Sequence, residues 1–356
     1  MKSICFRMIA LGILWGIVCA GTALAGSRQA RLTKNRAETN TTGNFDTVQD
    51  HKEGAMKISG FAHIRFHHSK EANDGFDVRR ARVSIKGSVA PRIRFKIQGE
   101  FGGTQQRLID AEACFSLGRG THISAGQFKI PFSRENLTGN PRLETINRSL
   151  VVESLCGRGK DVIGNQSGRD IGMSVHGDLG KLIKGLPVTY TAGIFNGSGI
   201  NTRDYNDSKD LVARVCAQPV KGVSLGGSWY YGSNTDFTGA GRGEDRRRAG
   251  AECSAAGSGF LAQAEYITGK DGSVKRDGWY VLCRYEIARD LLHGVLRYEV
   301  FDPDTDISEN SLKRYTAGLT LFFTDSSKIQ VNYEHECDSL CREHINRLMA
   351  QIQCSF

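Results

Sequence analysis

The sequence predicts an all-β chain, a sixteen-stranded antiparallel transmembrane barrel with an in-folded third outer loop. Three observations carry that expectation. Apolar and polar residues alternate with period two through almost all of the chain beyond residue 56, the period at which successive side chains point to opposite faces of a strand. The alternating segments number sixteen, an even count at about the ten-residue length that crosses a bilayer at a tilt. Their connections alternate long and short, as in barrels with long loops at one end and tight turns at the other.

The chain opens on Lys2 and Arg7, an apolar run from Ile9 to Val18, and Ala23-Leu24-Ala25. A positive start, an apolar core and a small-residue site form an export signal, cut after Ala25, and the run is too short to span a membrane as a helix. Residues 1–25 are therefore a signal peptide, 26–55 a polar tether and 56–356 the barrel.

In the first strand Met56, Ile58, Gly60, Ala62, Ile64 and Phe66 share one face, and Lys57, Ser59, His63, Arg65 and His67 the other. In the third, Ile93, Phe95, Ile97, Gly99 and Phe101 oppose Arg92, Arg94, Lys96, Gln98 and Glu100. The second face is too charged for a packed core. The segments fall at about 56–67, 76–88, 91–101, 108–117, 121–130, 169–179, 187–195, 207–218, 222–232, 246–257, 258–268, 276–288, 293–301, 312–324, 327–336 and 343–356. The longest connection, 131–168, begins at Pro131, which cannot donate to a ladder and stops the fifth strand. Aromatic residues crowd strand ends, with Trp229, Tyr230, Tyr231, Trp279 and Tyr280 at the outer interface and Phe322 and Phe323 at the inner one, where barrels carry their girdles. The alternation puts the terminal Phe356 on the apolar face with Ile352 and Cys354. A secreted β-sandwich is the alternative, and it explains neither that terminal residue nor the lack of doubly apolar strands.

The formal charge is +9, near +7 once Lys2 and Arg7 are removed, which favours anionic partners; nucleic acid is excluded for an exported chain. No cofactor fingerprint occurs and none is expected. Of ten cysteines, Cys5 and Cys19 leave with the signal. Cys114, Cys216, Cys253 and Cys283 read as small buried apolar residues, and Cys337 with Cys341 are close enough for a local bridge. No metal site is expected, because no CxxC pair or histidine cluster of ligand spacing is present. The histidines form no constellation with a nucleophile, so no enzyme is expected.

The stretches GQFKIPFSREN (Gly126 to Asn136), LETINRS (Leu143 to Ser149), RDIG (Arg169 to Gly172), FNGSGINTRD (Phe195 to Asp204) and FDVRRARVSIKG (Phe76 to Gly87) resemble the phosphate-selective porin O and P family of Gram-negative outer membranes. The resemblance is densest over Phe76 to Arg214. It implies a sixteen-stranded, trimeric outer-membrane barrel in lipid and lipopolysaccharide, assembled through its terminal phenylalanine by the barrel-assembly machinery. It also implies arginines and lysines that guide phosphate through a constriction shaped by the third loop.

The residues offer a matching arrangement. Arg80, Arg82 and Lys86 share the non-lipid face of the second strand, Arg92, Arg94 and Lys96 that of the third, and Arg65 extends the column sideways. Planar guanidinium forks suit phosphate oxygens, and a series of weak sites allows conduction. Glu100, Asp110 and Glu112 face the same way and neutralise part of the row. Lys129 at the root of the loop, and Arg134, Arg142 and Arg148 within it, are candidates for the constriction, with Glu135 and Glu144 as opposing charges. The full arginine ladder with facing tyrosines is not present. The expected function is passive diffusion of small anions, phosphate or polyphosphate first. The alternatives are a general or carbohydrate-type porin of little selectivity, a surface adhesin or receptor, and a barrel hydrolase.

Overall fold

A computed structural model describes residues 54–356 apart from 71–72, 104–105, 119, 164, 181–185, 205–206, 235–243 and 339–343. The expected signal peptide and nearly all of the tether lie outside the described residues, as does Cys341 of the expected local bridge.

Sixteen strands follow one another: β1 (Met56–Ser69), β2 (Gly75–Ala90), β3 (Ile93–Glu100), β4 (Arg107–Gly118), β5 (Thr121–Lys129), β6 (Arg169–Asp178), β7 (Val188–Phe195) and β8 (Asp210–Val220), then β9 (Val223–Asn234), β10 (Glu244–Gly257), β11 (Phe260–Asp271), β12 (Val274–Ala288), β13 (Leu292–Asp302), β14 (Leu312–Phe322), β15 (Lys328–Asp338) and β16 (His344–Ser355). Each pairs antiparallel with its sequence neighbours, and β1 pairs with β16, so the sheet is a closed barrel. No described helix is long and apolar enough to cross a membrane. The strands present the apolar belt instead.

The burial pattern decides between barrel and sandwich. Ile64, Val83, Ile97, Phe115, Met173, Val215, Leu225 and Leu296 are exposed, whereas Arg82, Lys96, Glu100, Asp110, Glu252, Glu299 and Glu334 are buried. A sandwich would reverse this assignment. Apolar side chains outside and charged side chains inside suit a wall with lipid around it and a polar lumen within.

Closure is held at Phe356, whose backbone exchanges two 3.0 Å hydrogen bonds with Gly60. Its ring lies across Gly60, where a Cβ would stand 2.5 Å from the ring carbon Cζ. Only glycine leaves room for the terminal aromatic ring on the seam.

The alternation misleads at six register irregularities among the described strands. In β2 the partners step from His63↔Arg80 to Ile64↔Val78, leaving Arg79 without a partner. Others fall at Val89, Ile109, Leu117 and Ile287 and between Ala217 and Val220. Three sequence expectations are corrected. Tyr230 and Tyr280 are buried and bond Asp210 and Glu265, so of the five residues expected at the outer interface Trp229, Tyr231 and Trp279 face outward. Phe322 is likewise buried, against His293. Cys253 is exposed on the outer face, because odd positions of β10 point outward; Cys114 and Cys216 are buried as expected.

Candidate functional site

The connection between β5 and β6 contains two short helices, α1 (Arg134–Leu137) and α2 (Leu150–Leu155). It is fastened to inward-facing side chains far around the barrel. Glu265 on β11 accepts from the backbone of Arg134 (3.0 Å) and Glu135 (2.6 Å), and Glu299 on β13 accepts from Leu150 N at 2.6 Å. Asn332 on β15 takes Ile146 N at 2.7 Å, Glu334 takes Asn147 Nδ2 at 3.0 Å, and Lys328 Nζ donates to Leu143 O at 2.8 Å. Carboxylates at the first turns of α1 and α2 satisfy backbone donors that a helix start leaves open.

Apolar packing adds to these bonds. Phe132, Leu150, Val151, Val152 and Leu155 are at most 2% exposed and join Tyr230, Ile267, Tyr280 and Phe301 in one cluster. Burying each such side chain contributes about 1.5–3 kcal/mol.

Lys129, a candidate for the constriction from its place at the loop's root, takes part in the same fastening. Its Nζ donates to the carbonyls of Asn136 (2.9 Å), Leu137 (2.7 Å) and Thr138 (3.0 Å), which uses all three donors on the end of α1. Arg148 bonds the carbonyls of Glu135 and Thr138 and the side chain of Asn140. Arg158 Nε bonds Asn136 Oδ1 at 2.9 Å. Gly168 closes the segment at φ +69°, where a Cβ would stand 2.0 Å from that same oxygen.

Three members of the expected cation column form ion pairs. Arg82 meets Glu100 at 2.6 Å, Lys96 meets Asp110 at 2.6 Å, and Arg65 meets Asp77 at 2.5 Å. The acidic residues of β3 and β4 thus cancel its middle. Lys86 stands opposite Lys57 on one side and Lys96 on the other. Arg94 contacts Cys114 Sγ at 3.6 Å. Arg92 is not on a strand; it sits exposed in the turn between β2 and β3 and leaves the column. Arg142 is exposed on the short helical turn Asn140–Arg142, and Arg134 is half-buried on α1.

Arg79 and Arg80 differ from these. Both are half-buried, and neither forms an ion pair among the described residues. Arg80 lies within electrostatic reach of Arg79, Arg82, Arg148 and Arg158. Among the acids near them is Glu153 on α2. Burial pushes its carboxyl up, but Arg158, Arg148, Arg80 and Arg79 outweigh that and hold it below the usual carboxylate range. Burial and the neighbouring Arg148 lower the proton affinity of Arg158. Glu153 thus lies within electrostatic reach of four arginines, with Asp77 and Glu334 also near Arg79 and Glu135 near Arg148.

The other wall contrasts with this patch. Arg214 pairs with Glu252 at 2.5 Å, Arg246 with Asp210 at 2.6 Å, Arg248 with Asp271 at 2.7 Å, Arg297 with Glu299 at 3.0 Å and Arg314 with Glu336 at 2.5 Å. Glu135 is buried and bonds Ser149 and Arg297, and Glu144 lies 3.8 Å from Arg284. Both acids therefore serve the fastening of the segment.

Sequence reasoning nominated Arg80, Arg82 and Arg148 but missed Arg79, Arg158 and Arg169. The signal for Arg79 is present: Phe76 and Val78 are out of phase with Ala81 and Val83, so one residue between them must bulge. Arg169 pairs with Asp110 at 2.7 Å, and nothing in its local sequence marks that partner. Sequence spacing also did not bring together His335, Cys337 and His344, whose ligand atoms lie within 4.8 Å of one another.

Comparison with solved structures supports the architecture. An anion-selective porin from Comamonas acidovorans superposes at a TM-score of 0.66 with 12% identity, over 85% of this chain and 99% of that one. OmpT of Vibrio cholerae matches at a TM-score of 0.61 with 9% identity, over 85% and 97%. The outer-membrane channel DcaP of Acinetobacter baumannii matches at 0.58 with 13% identity, also over 85% and 97%. At these identities the likeness shows the fold. No curated protein sequence matches the chain. The profile of one family matches residues 58–242, just over half of the sequence, and spans β1 to β9 together with the β5–β6 connection. The closed barrel, its inverted burial and this match together place the chain in the phosphate-selective porin O and P family of outer-membrane β-barrels.

Proposed function

We propose that the protein is an outer-membrane porin for passive diffusion that favours small anions, with oxyanions such as phosphate as the preferred class. One observation carries the reading: Arg79 and Arg80 form no ion pair among the described residues, and they lie within electrostatic reach of the β5–β6 segment, Arg80 of Arg148 and Arg158 and both of Glu153. Elsewhere on the wall the arginines are matched by carboxylates. On this reading the β5–β6 segment lies in the lumen and narrows it against β2. Anions then pass a cationic surface at the narrowest level and cations meet repulsion there.

Of the expected pore-lining set, Arg80, Arg82 and Arg148 remain at this level, joined by Arg79 and Arg158. Arg65, Lys86, Arg94 and Lys96 line the approach, while Arg134 and Arg142 belong to the segment's own surface. The chain is exported by residues 1–25, assembles through Phe356 and forms a trimer, as the OmpT of Vibrio cholerae does in the structure described as its trimer form. No catalysis and no cofactor enter this account.

The test is single-channel recording in planar bilayers with millimolar phosphate added to chloride. Phosphate lowers the chloride current if the arginine patch binds oxyanions. A chloride current indifferent to phosphate leaves a porin without oxyanion preference and removes that part of the reading.

A further inference from the structure

We propose that His335, Cys337 and His344 form a binding site for a zinc-class divalent ion at the outer rim of the barrel, with water in the fourth position. The three residues come together through register. His335 and Cys337 are two apart on β15 and share its outward face, and Cys337 stands opposite His344 across the β15–β16 ladder. The site therefore spans the base of the last connection and ties two strands to each other.

The donor set and its geometry suit such an ion. Sγ of Cys337 lies 3.1 Å from His335 Nε2 and 3.2 Å from His344 Nδ1, and all three ligand atoms fall within 4.8 Å of one another. The two imidazoles lie nearly parallel, 13° apart, at 5.4 Å between centroids. A tetrahedral ion with bonds of about 2.3 Å to sulfur and about 2.05 Å to nitrogen separates those atoms by about 3.6 Å. Small side-chain rotations open that space.

A further contact prepares His335. Its Nδ1 bonds Asn346 Oδ1 at 2.7 Å, an oxygen that also accepts from Tyr333 Oη at 2.7 Å. An amide oxygen only accepts, so Nδ1 carries the proton and Nε2 presents its lone pair to the sulfur. Such a carbonyl behind a ligating imidazole fixes its tautomer and orientation. The position is not one that barrel architecture needs to be polar. Tyr315 and Tyr333 are exposed on the same outward face below it, and His335 and Cys337 are partly exposed with His344 open to solvent. Water and ions reach the site from outside. On binding, the thiol proton leaves to solvent, and a thiolate and two neutral imidazoles hold the ion. One thiolate with two imidazoles favours zinc or its stand-in cobalt over magnesium or calcium, which take oxygen ligands.

The experiment uses the full-length folded chain in detergent, titrated with Zn²⁺ by calorimetry and with Co²⁺ by absorption. One ion per chain and a thiolate-to-cobalt charge-transfer band are expected. Cys337→Ser abolishes the band, His344→Ala weakens binding at least about tenfold, and Asn346→Ala weakens it about tenfold or more. Cys341→Ser leaves band and stoichiometry intact. Heat-modifiable gel mobility confirms that each variant is a closed barrel, which separates lost binding from lost folding. The proposal is overturned if wild-type chain gives no thiolate band, if the band survives Cys337→Ser, or if Cys337 is disulfide-bonded in chain isolated from membranes without reductant.

Discussion

Replacing Arg79 and Arg80 together by glutamine removes the cations of the patch that have no ion pair among the described residues. A monovalent anion about 4 Å from a guanidinium gains about 1 kcal/mol in water and several times that where solvent is restricted. Taking the aqueous value as a lower limit, screening at 0.1 M salt with a Debye length of about 10 Å reduces it to roughly 0.7 kcal/mol. That is about threefold in the local concentration of an anion. A cation gains what the anion loses, so the permeability ratio of chloride to potassium changes by roughly tenfold for one charge and more for two. The assay is the zero-current potential in a salt gradient, wild type against variant, with single-channel conductance recorded alongside. Arg82→Gln is the contrasting control, because Glu100 already neutralises Arg82 at 2.6 Å. It shifts selectivity less but costs about 3–5 kcal/mol of stability by leaving Glu100 buried and unpaired. A permeability ratio unchanged within twofold in the double variant would refute the assignment of these arginines to the permeation path.

Other parts of the account are open to similar tests. Glu299→Ala leaves Leu150 N without its acceptor and removes one of two carboxylates from Arg297, which keeps Glu135, and from Arg314, which keeps Glu336, costing about 1–3 kcal/mol; the β5–β6 segment loosens, and single-channel conductance rises and becomes noisier. Lys129→Met strips the donor from three carbonyls at the end of α1, at about 1–3 kcal/mol for each one left unsatisfied, so thermal unfolding shifts down while the charge selectivity set by Arg79 and Arg80 stays. Gly60→Val places carbon atoms against the Phe356 ring and the Arg82 carbonyl; the heat-modifiable folded fraction in membranes falls sharply, and Phe356→Ala in the same chain restores part of it.

Much of the fold was legible because a barrel wall has a single rule, and the rule writes itself into every strand. Met56 to Phe66 and Ile93 to Phe101 alternate without a competing signal, and the strand bounds follow within a few residues. The inward face of β2 was legible for the same reason. Arg79 was not, since a bulge breaks the period that identifies faces. The fate of each cation depends on a partner strand, so Arg82 with Glu100 could be anticipated across neighbouring strands. Arg169 with Asp110, 59 positions away, could not. The same limit hid the fastening of the β5–β6 connection. Its hydrogen bonds run to Glu265, Glu299 and Asn332, more than a hundred residues later, and no local pattern in LETINRS names them. Lys129 shows the cost of reading charge without partners: an inward lysine beside an arginine-rich segment looks like a pore cation, yet three carbonyls occupy it.

The measurement that bears most directly on the central claim is the zero-current potential of the wild-type protein in planar bilayers across a tenfold gradient of potassium chloride. The account predicts stepwise channel insertion and a potential whose sign shows chloride more permeant than potassium, because Arg79 and Arg80 form no ion pair among the described residues and add to the charge of Arg148 and Arg158. A potential of the opposite sign, with potassium the more permeant ion, would contradict it.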